Sequence, residues 1–385
     1  MNILLLDEGQ HQSLYLSRKL QECADTDTDI HVAIASAASH RQNMLGHFPV
    51  TSHSTPNPAD AGYAEHVGAL ARNVDYIIPI GNNCLPIAYN ASTTWRDKVF
   101  PAITPDTFAL LFDKFASTQF AIQLGIRCPD STEVDTLEQL HNATELFGLP
   151  IVLKQRSGWA GTGVRICHTR EDLEKTFHMF RAQGDRGLFC QRYIRGTPCL
   201  AGGLFLHGNA VRIYCADHAV TYPPITGASK SLISCHDQNL IQALRMFCQA
   251  VCWTGLGNLD FVRGEDGALY FLEMNPRIWG SIAATADAGV EMICPLLQLM
   301  QGESPTPSLA YQAGVRSALF PQYLLALCQQ GGYRNLWRVI SERRLWRRAP
   351  WNRPHYLFGY LIIVSRAWLH SVRRTLAGSL KTPES

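Results

Sequence analysis

The chain opens on short apolar runs, NILLL at 2–6, IHVAIAS at 30–36 and DYIIPIG at 75–81, separated by helical or polar stretches. Runs of this length between helical segments are the pattern of parallel strands in an open α/β sheet, buried on both faces. Residues 1–103 are therefore expected to form one small α/β domain. The segment after the first run, DEGQHQSLYLSRKL, contains no GxGxxG turn. The glycines that let a dinucleotide pyrophosphate approach the backbone are missing, which disfavours a nicotinamide site.

Farther along, the pattern changes. TPDTFALLFDKFASTQFAIQLGI begins with Thr104 as a cap and Pro105 at the first helical position and stops near Gly125, which predicts one helix carrying Lys114. LPIVLKQRSGWAGTGVRIC reads as strand, glycine-rich loop, strand, and GLFCQRYIRGTPC as a further strand leaving into a turn. NLDFVRGEDGALYFLEMNP alternates on either side of Asp266-Gly267, a strong signal for a two-residue hairpin turn. That turn sets Asp260 opposite Glu273 and Asn258 opposite Asn275. Period 2 then places these four on one face and Leu259, Phe261, Leu272 and Met274 on the other, facing the core.

Composition adds two points. With 385 residues, 46 % hydrophobic and 17 % charged, the chain is long enough for two or three cooperating globular domains. The formal net charge of +2 hides an asymmetry: residues 331–385 hold eleven Arg or Lys against Glu342 and Glu384, and the rest of the chain is acidic. That tail mixes arginine pairs with a helix-period stripe of Leu357, Tyr360, Leu361, Val364 and Trp368. Either the stripe docks on the protein body with the arginines solvated, or it makes peripheral contact with an anionic membrane surface. A nucleic-acid partner is the least favoured reading. The apolar run Tyr356–Ser365 is about half the ~20 residues a spanning helix needs, so no membrane span is expected. Twelve cysteines without a CxxC pair, behind an N-terminus that lacks signal-peptide character, predict reduced thiols and a cytoplasmic location. Cys248 and Cys252 have helical i, i+4 spacing but no nearby partner pair, so they are read as core rather than metal ligands.

The polar hairpin face carries the chemistry. Two carboxylates with an amide oxygen two residues on are hard ligands suited to Mg²⁺, which commonly binds one or two carboxylates together with substrate phosphates. Lys114, Lys154 and the glycines of SGWAGTG supply the cations and close backbone approach that phosphates need. In this order, with QRYIRG next and LDFV followed by LEMNPRIWGS last, the motifs resemble the ATP-grasp superfamily of carboxylate–amine and carboxylate–thiol ligases. Within it the chain is similar to the group of predicted ATP-dependent carboligases, from about residue 1 to 305.

The resemblance implies an α/β, ATP-grasp fold: a Rossmann-like pre-ATP-grasp domain over 1–103, a small nucleotide lobe over 104–190, a C-terminal lobe with the metal and catalytic site over 191–305, and a basic, aromatic-rich helical extension over 306–385. It implies that Lys114 and Lys154 hold ATP phosphates under a lid containing Ser157, Gly158, Gly161 and Gly163. Gln191, Tyr193 and Ile194 would line the adenine. Asp260, Glu273 and Asn275 would bind two Mg²⁺ ions, with Mn²⁺ a possible substitute. Arg277 would stabilise charge on an acyl phosphate or tetrahedral intermediate. Ser281 would start a helix, SIAATADAG, whose N-terminus takes an anion. The loop 221–231, with Pro224, Gly227 and Ser229, resembles one that this group places near the reaction centre, and a structural turn is its other reading. Pro198 stands where many relatives place an acid on the ribose hydroxyls. The implied activity is ATP- and Mg²⁺-dependent ligation of a small-molecule carboxylate to an amine; many such relatives are homodimers, but nothing in this sequence marks a contact surface, so the oligomeric state stays open. Carboxylase or kinase-type phosphoryl transfer, and a non-catalytic ATP-binding regulatory role, stay open as alternatives.

Overall fold

The computed structural model describes residues 1–8, 11–24, 29–37, 47–90, 92–157, 163–184, 187–222 and 227–320, with isolated positions between 323 and 365. The first sheet consists of β1 (Asn2–Leu6), β2 (His31–Ala37), β3 (Thr51–Thr55) and β4 (Tyr76–Pro79), all parallel in the order β3-β2-β1-β4. Helices α1 (His11–Glu22), α2 (Tyr63–Ala71) and α3 (Cys84–Ala88) accompany it. As the unbroken NILLL run predicts, β1 is buried on both faces: Ile3 and Leu5 enter one core, Leu4 and Leu6 another.

The single helix expected around Lys114 is two helices, α4 (Pro105–Phe112) and α5 (Lys114–Gln123). Thr104 caps the first as predicted, accepting from the Thr107 N–H at 3.1 Å. The break is at Asp113, which leaves helical geometry (φ −82°, ψ 112°) to become the cap of α5. Its Oδ1 accepts from Phe115 N–H (2.9 Å) and Ala116 N–H (3.0 Å), while Oδ2 receives Arg156 Nε at 2.7 Å. A short acid competes for backbone donors in this way, which is why Asp favours caps over helix interiors.

The second sheet, β5 (Ser131–Val134), β6 (Ile151–Gln155), β7 (Val164–Cys167) and β8 (Leu188–Arg192), is antiparallel in the order β5-β8-β6-β7. It packs against α6 (Leu137–Phe147) and α7 (Arg170–Ala182) in a small core of its own. The third sheet is antiparallel, in the order β13-β12-β9-β10-β11-β14. Its strands are β9 (Gly196–Leu206), β10 (Asn209–Tyr222), β11 (Ala228–Ser234), β12 (Gly255–Gly264), β13 (Leu269–Asn275) and β14 (Arg316–Ala318). Helix α8 (Gln238–Ala250) covers one face; the other shares a continuous core with β1, α1 and α10 (Ile293–Met300).

The β12–β13 hairpin has the predicted pairs at its open end, Asp260 opposite Glu273 and Asn258 opposite Asn275. It reaches them by a different route. The Gly264 N–H donates to Ala268 O (2.8 Å), so the loop is three residues, Glu265–Gly267, with Gly267 at φ +76° where a β-carbon is disfavoured. The register then shifts between Asp260 and Phe261, which pairs with Phe271. This bulge at Leu272 restores the expected pairing beyond it. The inward residue is therefore Phe271, fully buried, and not Leu272, which is half-buried.

The expectation of reduced thiols throughout is also corrected, because Cys23 and Cys294 are joined by a disulfide (S–S 2.07 Å) across 271 residues of sequence. The shared core sets the end of α1 against α10, a proximity that cysteine spacing cannot reveal. Cys248, on α8, is buried in the core as expected, whereas the core reading of Cys252 is corrected: it lies beyond the helix end, at φ 49°, and is exposed. The stripe of the basic tail lies outside the described residues except for Leu361. Among the described residues, no helix is long and apolar enough to cross a membrane.

Asp113 both caps α5 and holds Arg156. Asp113→Ala is expected to cost about 1–2 kcal/mol, and Asp113→Asn, which keeps the cap, to cost less. Urea denaturation of both variants checks this; equal losses would show that the cap contributes nothing.

Candidate active site

Two sheets and a helix deliver charged side chains to one cleft. Lys114, the first residue of α5, is 6 % exposed, and its N–H donates to Arg156 O at 2.9 Å, tying the helix start to the end of β6. Its ammonium lies 3.3 Å from Glu273 Oε2 on β13. Lys154, on β6, is equally buried and lies over the Phe189 ring at 5.8 Å. Burial pushes its ammonium down to about 8, with Glu273 opposing the shift and Lys114 adding to it.

The two carboxylates are held in opposite states. Burial pushes Glu273 upward, but Lys114, Lys154 and Arg277 outweigh it and hold the group below the usual carboxylate range. Burial, followed by the charge of Glu273, pushes Asp260 up to about 7 against the pull of Arg277, Asn275 and Asn258. Like charges facing each other across one strand pair leave one acid ionised and the other ready to take up a proton or a cation. The Glu273 side chain keeps 27 % exposure, so the cleft is open to solvent.

Amides frame the pair. Asn275 Nδ2 donates to Asp260 Oδ2 (2.9 Å) and its Oδ1 accepts from Arg277 Nη2 (3.3 Å). Asn258 Nδ2 donates to Asp260 Oδ1 (2.9 Å), leaving Asn258 Oδ1 buried without a partner among the described residues. Gly202 lies opposite Asn258, where a β-carbon would come within 3.0 Å of the Trp279 ring and 3.1 Å of Asn258 Cβ. Arg277 is fixed by Ile278 O (2.9 Å from Nη1) and by Asn82 Oδ1 (2.5 Å from Nε).

Asn82 comes from the parallel sheet. It follows β4, beside the C-terminal end of β1, where the strand order of the parallel sheet reverses and open α/β sheets place their ligand crevice. Glu8, just past β1, accepts from the Asn83 N–H at 2.9 Å in the same crevice. Asn82, Asn258 and Glu8 were not among the candidates drawn from sequence. Asn258 sat on the predicted polar face, a usable signal; Asn82 is 195 residues from Arg277 and carried none.

Lys114, Lys154, Asp260, Glu273, Asn275 and Arg277 are thus one cluster. Gln191, 1 % exposed, pairs with Val152 on the strand beside Lys154 and donates to Ser131 Oγ at 3.0 Å. Tyr193 and Ile194, half-buried, follow the end of β8. Ser157 and Gly163 flank the glycine loop, and Gly163 O accepts from the Gln155 N–H (2.8 Å); Gly158 and Gly161 lie outside the described residues, as does Pro224. Gly227 and Ser229 are at the start of β11, where Ser229 Oγ donates to Ser231 O (3.1 Å). Ser281 is buried in the turn before α9 (Ala283–Asp287), a helix of five residues that is shorter than SIAATADAG predicts.

Comparison with known proteins supplies the family and the fold. Residues 113–306 match the family "Carbamoyl-phosphate synthase L chain, ATP binding domain". Pyruvate carboxylase 1 of Caenorhabditis elegans is 26 % identical over 253 residues, 61 % of this chain and 21 % of that protein. The carbamoyl phosphate synthase large chain of Thermomicrobium roseum is 26 % identical over 230 residues, 56 % of this chain and 20 % of that one. The chain therefore spans about a fifth of the length of these relatives. Among solved structures, the biotin carboxylase domain of Hydrogenobacter thermophilus 2-oxoglutarate carboxylase, a dimer with MgADP, ADP and bicarbonate, superposes with a TM-score of 0.66. It has 16 % identity, over 82 % of this chain and 73 % of that one. The L-amino acid ligase of Bacillus licheniformis gives 0.62 at 16 % identity over 79 % and 75 %. With half the chain matched and the fold shared with these enzymes, the protein belongs to the family of the carbamoyl-phosphate synthase L chain ATP-binding domain and has the ATP-grasp fold.

Proposed function

We propose that the chain is an ATP- and Mg²⁺-dependent ligase that activates a small-molecule carboxylate as an acyl phosphate and joins it to an amine. The observation that carries this reading is the shared cluster: Lys114 and Lys154 beside the facing acids Asp260 and Glu273, with Arg277 next to them. The donor set fits a hard cation, since Asp260, Glu273 and Asn275 offer oxygen atoms and the repulsion that raises Asp260 is the kind a divalent ion removes. Bound there, Mg²⁺ would supply charge neutralisation for the phosphates.

The residues then divide the work. Lys114 and Lys154 bind phosphate oxygens, and Gln191, Tyr193 and Ile194 form the adenine side of the cleft. The substrate carboxylate attacks the γ-phosphorus, the bond to ADP breaks, and the amine later attacks the acyl carbon and expels phosphate. Arg277, held by Asn82 and Ile278, faces the charge that builds on the acyl group, and fixed cations in a desolvated site are most effective there. Similarity to pyruvate carboxylase and to a biotin carboxylase domain favours a second reading, in which bicarbonate is the acid activated.

Purified protein with Mg-ATP and a metabolite pool should release ADP and give new masses equal to acid plus amine minus water. Both should be absent in Glu273→Ala and in the milder Glu273→Gln. Incorporation of labelled bicarbonate instead would establish the carboxylase reading; ADP release that persists in both variants would sink both.

Metal binding should also depend on pH. Asp260, at about 7 without metal, must be ionised to bind it. Mg-ADP affinity should therefore be highest between about pH 7 and 8, falling toward tenfold per pH unit well below 7 as Asp260 protonates and falling again above 8 as the Lys154 ammonium loses its proton. Calorimetry in buffers of different ionisation enthalpy should find up to one proton released at low pH and none in Asp260→Asn. Constant affinity from pH 6 to 8 would refute the assignment.

Asn82→Ala should lower kcat by about 10–100-fold through misplacement of Arg277, while leaving ADP affinity nearly unchanged. A change confined to ADP affinity would remove Asn82 from this role.

A further inference from the structure

A second group of chemically reactive side chains lies at the junction of the first domain and the six-stranded sheet. Cys23 follows α1, Glu291 precedes α10, and Cys294 is in the first turn of α10. One ligand atom from each, two sulfurs and a carboxylate oxygen, lies within 4.8 Å of the others. The three line a cavity of about 300 Å³ together with Arg212, Gln298 and Glu303, and none of the clustered active-site residues lines it.

We propose that Cys23, Cys294 and Glu291 form a redox-gated binding site for a soft divalent cation of the zinc type. In the oxidised form the two sulfurs are a disulfide and offer no thiolate. A dithiol reductant breaks the S–S bond, giving up two electrons and two protons and becoming a disulfide itself, and leaves Cys23 and Cys294 as thiols. The cation then replaces the two thiol protons, which pass to solvent, and Glu291 supplies the third bond.

Four features fit this chemistry. Cys294 stands at the start of an eight-residue helix, where the backbone N–H groups favour a thiolate. Glu291 is oriented at the same helix start, since its Oε1 accepts from the Ile293 N–H at 2.7 Å. Two sulfurs and one carboxylate leave the fourth tetrahedral position open to the cavity for water. Two thiolates, a carboxylate and a divalent ion sum to one negative charge. Arg212, on the same cavity and held by Val211 O and Thr306 O at 2.8 Å each, sets a positive charge beside it, opposed in part by the exposed Glu303. Thiolates select against Mg²⁺, so the site would not compete for the ion of the catalytic cluster. Disulfide and metal are then alternative cross-links between α1 and α10.

The test uses the full chain, reduced with a dithiol, freed of reductant without air and titrated with Co²⁺. The expected result, with excess Mg²⁺ present to occupy the carboxylate cluster, is thiolate-to-cobalt charge-transfer absorption that saturates at one Co²⁺ per chain and is displaced by Zn²⁺. The absorption should be absent from the oxidised protein and from Cys23→Ser. Glu291→Gln should keep the absorption and lose about 10-fold or more in affinity. Zn²⁺ should raise the melting temperature of the reduced chain and leave that of Cys294→Ala, shown folded by its own melt, unchanged. Absence of the absorption after thiol titration confirms reduction, or an identical band in Cys23→Ser, would overturn the proposal.

Discussion

The Glu273 carboxylate is the point on which the site depends. It sits on β13, receives Lys114 from α5 at 3.3 Å, and interacts with Lys154 from the smaller antiparallel sheet and with Arg277 two turns of the pleat beyond. Without it, two buried lysines and the half-buried Arg277 would have only Asp260 between them. Burial, and then the charge of Glu273, bias Asp260 toward the neutral form. The cation that relieves one acid therefore lowers the repulsion acting on both.

That arrangement needs backbone precision, and the fold supplies it through short connections. Asp113 breaks a helix so that Lys114 starts a new one, and Arg156 reaches back from the end of β6 to hold Asp113, with a further contact to Glu133. The Lys114 N–H donates to Arg156 O, so the two lysines are coupled through backbone rather than through solvent-exposed side chains. On the other side, the first sheet and the six-stranded sheet share one core, which places Asn82 against Arg277. A surface ion pair contributes little by itself; here the chain geometry, not the ion pairs, does the positioning.

How much of this was legible in the sequence varies by residue. NILLL, DYIIPIG and the alternation around Asp266-Gly267 disclosed the parallel sheet and the polar hairpin face because burial imposes those periods directly. The hairpin succeeded by compensation: the loop is one residue longer than a simple Asp-Gly turn, and the bulge at Leu272 absorbs the difference. Local pattern cannot separate those two features, because each alone would invert the faces of β13. The break at Asp113 was hidden by good helical periodicity on both sides of it. Asn82 and the Cys23–Cys294 bridge were hidden for another reason, since both join the first domain to residues some 200 or more positions away and depend wholly on how the shared core packs. The basic tail, evident in composition, falls mainly outside the described residues.

The cluster also differs from a structural ion-pair network in ways that bear on its use. A network that serves only stability tends to balance its charges and satisfy its polar atoms, since buried unpaired groups are costly. Here Lys114 and Lys154 crowd an ionised Glu273, while burial and the Glu273 charge push Asp260 toward the neutral form, so like charges are held together rather than paired off. Asn258 Oδ1 is buried beside them with no partner among the described residues. Both features are unfavourable for the protein alone and become favourable once a polyanion with its metal ion enters the cleft. Sites of this kind exchange stability for function. The same reasoning explains why Asn258 belongs with the site although it bears no charge: its amide N–H group is committed to Asp260, and only its carbonyl oxygen is left to meet a ligand.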